Sequence, residues 1–428
     1  MRHWLWYLSI CLSCGLSPVN VIAQTAAPQA LTITQAVQEA LDHNLTLFAE
    51  RYNVSVAEAR IITARLRPNP VLTLSANLPD HTIFRSGTSP YAEVGHLEWV
   101  FERGGKRAAR IAVAEQVRTV TQLQLLDTIR TLTLEVENAC VDILVAKANL
   151  ALGQENLQAL NSIVQINTHR VRTGDLAPVE LQRSSLAALQ FQNDVRKSES
   201  ELLIARNKLR TLLGRPYGAG LIDVDGDLRR DGAPASAETV RQQAFTLRPD
   251  LQALVRDEAR SAAELRLQIA QGKIDFTIGG EFQRQQAPTL SGNQYGIFFN
   301  VPLPLFNRNQ GEIARAGRER EQLLAKIQAL AHDITSEAQN AYQTSLTAHQ
   351  IVENIEQHML EQAQNVRTVM EYSYRKGQAR FVEFLDAQRA YNDTRQSYNQ
   401  ARADFARSLY QLDAVSGASV NPAAAGVQ

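Results

Sequence analysis

The chain has 428 residues and sets 44 basic side chains against 44 acidic ones, a formal net charge of zero. With no basic excess to neutralise phosphates, a nucleic-acid partner is excluded. Aromatic residues are only 6%, and a chain rich in Ala, Leu, Gln, Arg and Glu favours long helices over a compact mixed core.

Met1-Arg2-His3 is a short basic start, and Trp4 to Leu16 is an apolar stretch too short to span a bilayer comfortably. Val21-Ile22-Ala23 supplies small or apolar residues of the kind a signal peptidase reads, so residues 1–23 are expected to be a signal peptide. Cys11 and Cys14 fall inside it, and neither follows the Leu-small-small pattern of a lipoprotein signal. No lipid anchor is expected. Cys140, in an apolar helical segment, reads as a small core residue.

Beyond residue 24 the chain is written twice, at a spacing of about 204 residues. Arg172 to Leu181 corresponds to Arg375 to Phe384, Phe101-Glu102-Arg103 to Phe306-Asn307-Arg308, and Val71 to Leu74 to Asp275 to Ile278. The first copy is assigned to 24–213 and the second to 238–416. A Gly-, Asp- and Pro-rich linker at 214–237 joins them, and 417–428 is a flexible tail.

Each copy reads as helix, two strands, long helix, helix, with strands near 70–78 and 91–101, then near 274–283 and 294–305. The segment near 31–67 is expected to form one short helix. Strand residues alternate: Leu72, Leu74 and Ala76 against Thr73 and Ser75, and Leu97, Trp99 and Phe101 against His96 and Glu98. In copy two, Phe276, Ile278 and Phe282 oppose Asp275, Thr277 and Glu281, and Tyr295, Ile297, Phe299 and Val301 follow the same rule. Apolar-out, polar-in alternation suits a water-filled barrel. Four strands cannot close one, and an open edge in lipid leaves backbone groups unpaired, so strands must be pooled between subunits. Three copies of four strands give twelve.

Gly104-Gly105 breaks the chain where strand becomes helix, and Pro302 and Pro304 do so in copy two. Arg103, Lys106, Arg107 and Arg110 then crowd a helix start, where cations oppose the macrodipole. Anionic or polar groups at the inner rim of the membrane, or an ordinary solvated face, account for them about equally well. The long helix of copy one carries an apolar heptad from Leu125 through Ile129, Leu132, Val136, Ala139, Ile143 and Ala146 to Val164. Copy two repeats it from Ile327 through Ile334, Ala338, Ala341 and Val352 to Met359, Gln362 and Val366. Such a period imposes a left-handed supercoil on packed helices. A run of roughly 68 residues at 1.5 Å each makes a helix of about 100 Å, which suits a duct wall and not a globular domain.

Three segments carry a family resemblance: Phe101-Glu-Arg-Gly-Gly-Lys-Arg107, Val301 to Ile313 (VPLPLFNRNQGEI) and Tyr374 to Asp386 (YRKGQARFVEFLD). With the duplicated halves, these resemble the outer membrane efflux protein family, the TolC-like outer membrane factors. The Gly-Gly-Lys-Arg and Leu-Phe-Asn-Arg-Asn-Gln-Gly versions look like its CzcC-type branch, which serves cation-exporting pumps of the resistance-nodulation-division class. The resemblance implies a mainly α chain with β strands that forms a TolC-like trimer. Its 12-stranded transmembrane β-barrel, four strands per protomer, would be continued by a periplasmic α-helical coiled-coil barrel. It further implies a homotrimer in outer-membrane lipid, a periplasmic membrane-fusion adaptor and an inner-membrane resistance-nodulation-division transporter.

The strand–helix junctions are then Arg103, Gly104, Gly105, Lys106 and Arg107, with Asn307, Arg308, Gln310 and Gly311 in copy two. The adaptor-contacting hairpin tips hold Gly174, Asp175 and Glu180, and Gly377 and Arg380. Glu383 and Asp386 match the family's constricting carboxylates, and Tyr374 a tyrosine that helps hold the gate shut. The family's gate-linking arginine falls at Ala379, one place from Arg380. No catalytic motif, Cys/His cluster or phosphate loop appears, so neither enzyme chemistry nor a cofactor is expected. Drug efflux and type I protein secretion use the same architecture, and a soluble periplasmic coiled-coil adaptor is the non-channel alternative.

Overall fold

The computed structural model describes residues 29–77, 91–218, 220, 222–231, 236–286 and 291–419. The expected signal peptide, with Cys11 and Cys14, lies outside the described residues. The chain runs β1 (Gln29–Leu31), α1 (Ile33–His43), α2 (Leu45–Arg65), β2 (Val71–Asn77), β3 (Tyr91–Phe101), α3 (Lys106–Thr173) and α4 (Pro178–Leu212). There follow β4 (Ile222–Val224), α5 (Ala237–Leu247), α6 (Pro249–Gln271), β5 (Phe276–Gln286), β6 (Gly292–Asn300) and α7 (Gln310–Asn354). A π turn (Ile355–Met359), α8 (Leu360–Arg375) and α9 (Phe381–Ser416) complete it.

The 68-residue α3 is the spine. Near the sheet it packs between α2 and α6, and farther away between α4 and α9, while α7 lies against α6 and α9. The first-copy heptad positions Leu125, Ile129, Leu132, Val136, Ala139, Ile143 and Ala146 are buried, with Cys140 inside the same core. Below them the α3–α9 seam turns polar. Asn149 accepts from Asn399 (2.9 Å), and Asn156 donates to Asn392 (2.6 Å) and accepts from the buried Gln388 (2.8 Å). Amides at seam positions cost stability but fix which residues face each other.

The single helix expected near 31–67 is two, α1 and α2, broken at Asn44. Its backbone is extended there (φ −64°, ψ 122°), its side chain caps Leu47 N at 2.9 Å, and its amide donates to Leu212 O at 2.8 Å. Copy two breaks 204 residues later at Arg248 (φ −64°, ψ 120°), where Pro249 disfavours helix in the residue before it. Arg248 is buried and bonds Asp250 and Glu337. Burial opposes ionisation of Asp250, but the Arg248 guanidinium outweighs it and its pKa sits below the usual value.

Each break is met by a left-handed glycine at the end of the copy's last helix: Gly214 (φ 68°) against His43–Asn44, and Gly417 (φ 79°) against Leu247–Arg248. Residues 417–419, expected as the start of a flexible tail, are a helix-ending turn seated on that kink.

Three more expectations are corrected. The linker at 214–237 is not wholly irregular: it supplies β4, which pairs in parallel with β1, Gln29 opposite Ile222 and Leu31 opposite Val224. Asp223 within it is held by Lys147 (3.0 Å) and Arg206 (3.2 Å). Next, the strand expected at 294–305 is Gly292–Asn300, because Pro302 and Pro304 lack the N–H that a ladder needs, and that expected at 274–283 is Phe276–Gln286. Last, the copy-two heptad slips by one residue. The π turn takes five residues where four were expected, so the stripe runs Val352, Ile355, Leu360, Ala363, Arg367, Met370, Tyr374. Met359 and Val366 are exposed instead.

A Cβ on Gly214 would stand 2.2 Å from the His43 carbonyl oxygen, whereas one on Gly174 (φ 85°) meets open space. Gly174→Ala should destabilise by about 1–2 kcal/mol through the left-handed backbone alone. Gly214→Ala should lower the unfolding temperature in detergent clearly further, and equal losses would contradict the packing of that turn.

Candidate functional site: sheet, junction and hairpin tips

The main sheet is antiparallel in the order β2-β3-β5-β6, with the two hairpins joined through β3 and β5. Register aligns the alternations. Leu72 faces Leu97, Leu97 faces Gly280 and Gly280 faces Ile297; Trp99 faces Ile278, which faces Phe299. Those side chains share one face and are exposed on the single chain: Leu74 is 75% accessible, Tyr295 80% and Ile297 89%. The opposite face aligns Thr73, His96, Glu281 and Gly296, then Ser75, Val94, Gln283 and Gln294. Among the described residues β2 and β6 each have one free edge.

At the first strand–helix junction Gly104 (φ 74°) and Gly105 (φ 76°) are both left-handed, and Gly105 is the N-cap of α3. In copy two the same place, 204 residues on, is filled by Asn309 (φ 63°), the one positive-φ non-glycine among the described residues. Asparagine tolerates that region better than other side chains, and here its amide also donates to Gln268 O (2.8 Å) and Oε1 (2.9 Å). Sequence reasoning passed over Asn309, although its alignment with Gly105 marks it. Around it Asn307 accepts from Asn309 N (2.9 Å), Gln310 accepts from Arg308 N (2.8 Å), and Gly311 has open space beside it.

Three side chains of the basic cluster, Lys106, Arg107 and Arg110, have partners within the chain, while the Arg103 side chain is exposed. Lys106 Nζ lies 2.6 Å from Asp275 Oδ2, and Arg103 N donates to Asp275 Oδ1 at 2.8 Å. Arg110 pairs with Glu102, whose pKa that bond lowers, while Arg107 donates to Arg65 O and Arg110 to Leu66 O. The last two cap the carbonyl end of α2, where a cation is favoured. So Asp275 of copy two anchors the helix start of copy one.

Two helical hairpins form the far end. Gly174 (φ 85°) and Gly377 (φ 76°) turn the chain after α3 and α8. Asp175 accepts from Thr173 Oγ1 (2.7 Å) and Glu180 pairs with Arg183 (3.1 Å). Tyr374 is buried between the hairpins, on Phe381 and Phe384. Its hydroxyl donates to Asn167 Oδ1 (2.6 Å), and Asn167 Nδ2 donates to Ser184 Oγ (3.0 Å). Burial, against the Asn167 bond, raises the tyrosine pKa.

Arg170 donates to the carbonyls of Tyr374 and Arg375, so it ties one hairpin to the other. Neither Arg170 nor Asn167 was singled out from sequence, although Arg170 sits 204 residues from Tyr374. Arg380 is exposed, and its backbone N donates to Glu383 Oε2 at 2.9 Å, making Glu383 a helix-capping carboxylate. Asp386, one turn on, is exposed as well. Among the described residues no group of three or more His, Cys, Asp and Glu is placed to hold a metal, and no helix is long and apolar enough to cross a membrane.

A sheet with one apolar and one polar face and two free edges, carried on a wall of long helices, defines an outer-membrane channel subunit. The chain belongs to the outer membrane efflux protein family, whose model matches residues 36–215 and 240–418, one stretch in each copy. It is thus an outer-membrane efflux channel with a periplasmic extension, in a family of conduits and not of enzymes.

The cobalt-zinc-cadmium resistance protein CzcC of Cupriavidus metallidurans is 26% identical over 391 residues, covering 90% of this chain and 89% of that protein. Nodulation protein T of Rhizobium leguminosarum bv. trifolii is 21% identical over 433 residues, covering 95% and 90%. Among solved structures, the Campylobacter jejuni CmeC outer membrane channel superposes with a TM-score of 0.77 at 13% identity, covering 91% of this chain and 86% of that one.

Tyr374→Phe strands the buried Asn167 Oδ1 and should destabilise the hairpin end by about 1–3 kcal/mol. Asn167→Ala should do the same. In a double-mutant cycle the two should be coupled by about 1 kcal/mol, read as amide-exchange protection near residues 160–170; strict additivity would show that the bond does not join the hairpins.

Proposed function

We propose that three copies of this chain assemble into the exit duct of a tripartite pump that exports divalent heavy-metal cations of the cobalt, zinc and cadmium type. The observation that carries the assembly is the sheet: four strands, free along β2 and β6, with an exposed apolar face. In lipid each free edge would leave backbone N–H and C=O groups unpaired at several kcal/mol apiece. Pairing β6 of one copy with β2 of the next removes every edge, and three copies of four strands make a barrel of twelve. The helical wall, whose spine α3 is about 100 Å long at 1.5 Å per residue, would continue it through the periplasm.

At the far end the tips around Gly174, Asp175, Glu180, Gly377 and Arg380 would meet a membrane-fusion adaptor, which couples the duct to a resistance-nodulation-division transporter. Glu383 and Asp386 would form a ring of carboxylates at the narrowest point, favouring cations. The bond from Arg380 N to Glu383 supports part of that reading, since it holds one carboxylate at the helix start beside the turn. Support for the metal cargo is the 26% identity to CzcC across 90% of the chain.

Removing the ring with Glu383→Ala and Asp386→Ala together should raise single-channel conductance in planar bilayers and weaken block by divalent cations. Unchanged conductance and block would remove the constriction from this place. For the cargo, a deletion strain should become sensitive to cobalt, zinc and cadmium; sensitivity only to antibiotics, or loss of a secreted protein, would replace metal export with drug efflux or protein secretion.

A further inference from the structure

The polar face of the sheet carries a feature that neither the constriction nor the assembly uses. His96 and Glu281 lie directly opposite each other in the β3–β5 ladder, with His96 Nδ1 3.5 Å from Glu281 Oε2. That is too long for a strong hydrogen bond. It matches another geometry: two ligands on one Zn²⁺, at about 2.0–2.2 Å each and a tetrahedral angle, stand ~3.3–3.6 Å apart.

The surroundings fit a cation. In the described strands the residues sharing that face include one histidine, His96, two carboxylates, Glu98 and Glu281, and no lysine or arginine. Arg284 and Glu93 face each other on the opposite, apolar side. Glu98 lies two residues along β3 from His96, on the same side and diagonal to Glu281, roughly 7–8 Å away by strand geometry. Space is kept open as well. Gly296 faces Glu281, and even a Cβ there would approach no closer than 3.6 Å. Phe298 fills the gap over Gly279 and sets its ring edgewise to the imidazole, centroids 6.0 Å apart.

We infer that His96 and Glu281 form a two-ligand site for a borderline transition-metal dication on the inner wall of the barrel, with water completing the coordination. Imidazole selects Zn²⁺, Co²⁺ or Ni²⁺ over Ca²⁺ and Mg²⁺, which take oxygen ligands. Two protein ligands bind weakly and exchange quickly, as passage requires: an ion must be favoured enough to enter and loose enough to leave. The site rests on the twelve-stranded barrel proposed above, whose lipid-facing apolar side leaves the polar face inward, and not on metal being the physiological cargo.

The test uses purified full-length channels in planar bilayers, with Zn²⁺ or Ca²⁺ added on the sheet side. His96→Ala and Glu281→Gln should each weaken Zn²⁺ block at least about tenfold and leave the response to Ca²⁺ unchanged. His349→Ala should leave both unchanged, although His349 lies 3.6 Å from Glu353 in a comparable pair on α7. Zn²⁺ block untouched by His96→Ala, or Ca²⁺ block weakened by that change as much as Zn²⁺ block, overturns the site.

A second measurement needs no variant. Zn²⁺ should protect His96 of the unaltered protein from diethyl pyrocarbonate, read by mass spectrometry, where Ca²⁺ does not; equal labelling with and without Zn²⁺ also overturns it. Both readouts lack the pump, so they can fail while a deletion strain stays metal-sensitive, and succeed while it does not.

Discussion

A helix of 68 residues has no core of its own, so α3 needs neighbours along its whole length. That requirement organises the chain. One element from each side covers each half of α3: α2 and α6 near the sheet, α4 and α9 beyond it. Flanking helices half as long must therefore follow one another along the wall, and the chain needs two of everything. Duplication meets the need, because the second copy supplies α6 and α9 to a spine that belongs to the first.

Where the copies meet, the contacts are polar and directional. Asp275 of copy two holds Lys106 and the Arg103 amide at the start of α3, and Arg170 near its end grips the carbonyls that close α8. Between these points the Asn149 and Asn156 amides set α3 against α9. Apolar heptads alone would let the helices slide by whole turns. Amides at seam positions forbid that, since a slip strands them in the interior. The sheet at one end and the hairpin tips at the other are thus parts of one rigid register.

Much of this was legible in the sequence because it depends on period. Alternation at Leu72, Leu74, Leu97 and Trp99 needs only the two-residue pleat, and the run from Leu125 to Ala146 only the heptad. Repetition showed that Gly174 and Gly377 do the same work. What escaped depends on partners far along the chain. Nothing local distinguishes Asn167 from a solvated asparagine until Tyr374 is brought to it, and the basic residues after Phe101 looked unpaired because Asp275 is 169 residues from Lys106. β1 and β4, three residues each, lie below the length at which a pattern can be read. Glu383 and Asp386 were legible only through family resemblance, and their geometry in one chain shows a capping carboxylate and an exposed one.

The π turn at Ile355–Met359 has a consequence for how this wall tolerates change. An α-helix turns about 100° per residue, so removing one residue anywhere else in α7 or α8 swings everything below it through that angle. Tyr374 would then point away from Asn167. The π turn alone holds a residue of slack: taking one out there restores an ordinary four-residue step from Ile355 to Leu360 and leaves the lower stripe facing as before. Length variation in this helix is therefore absorbed at one place, and the phase of the hairpin tip is insulated from it.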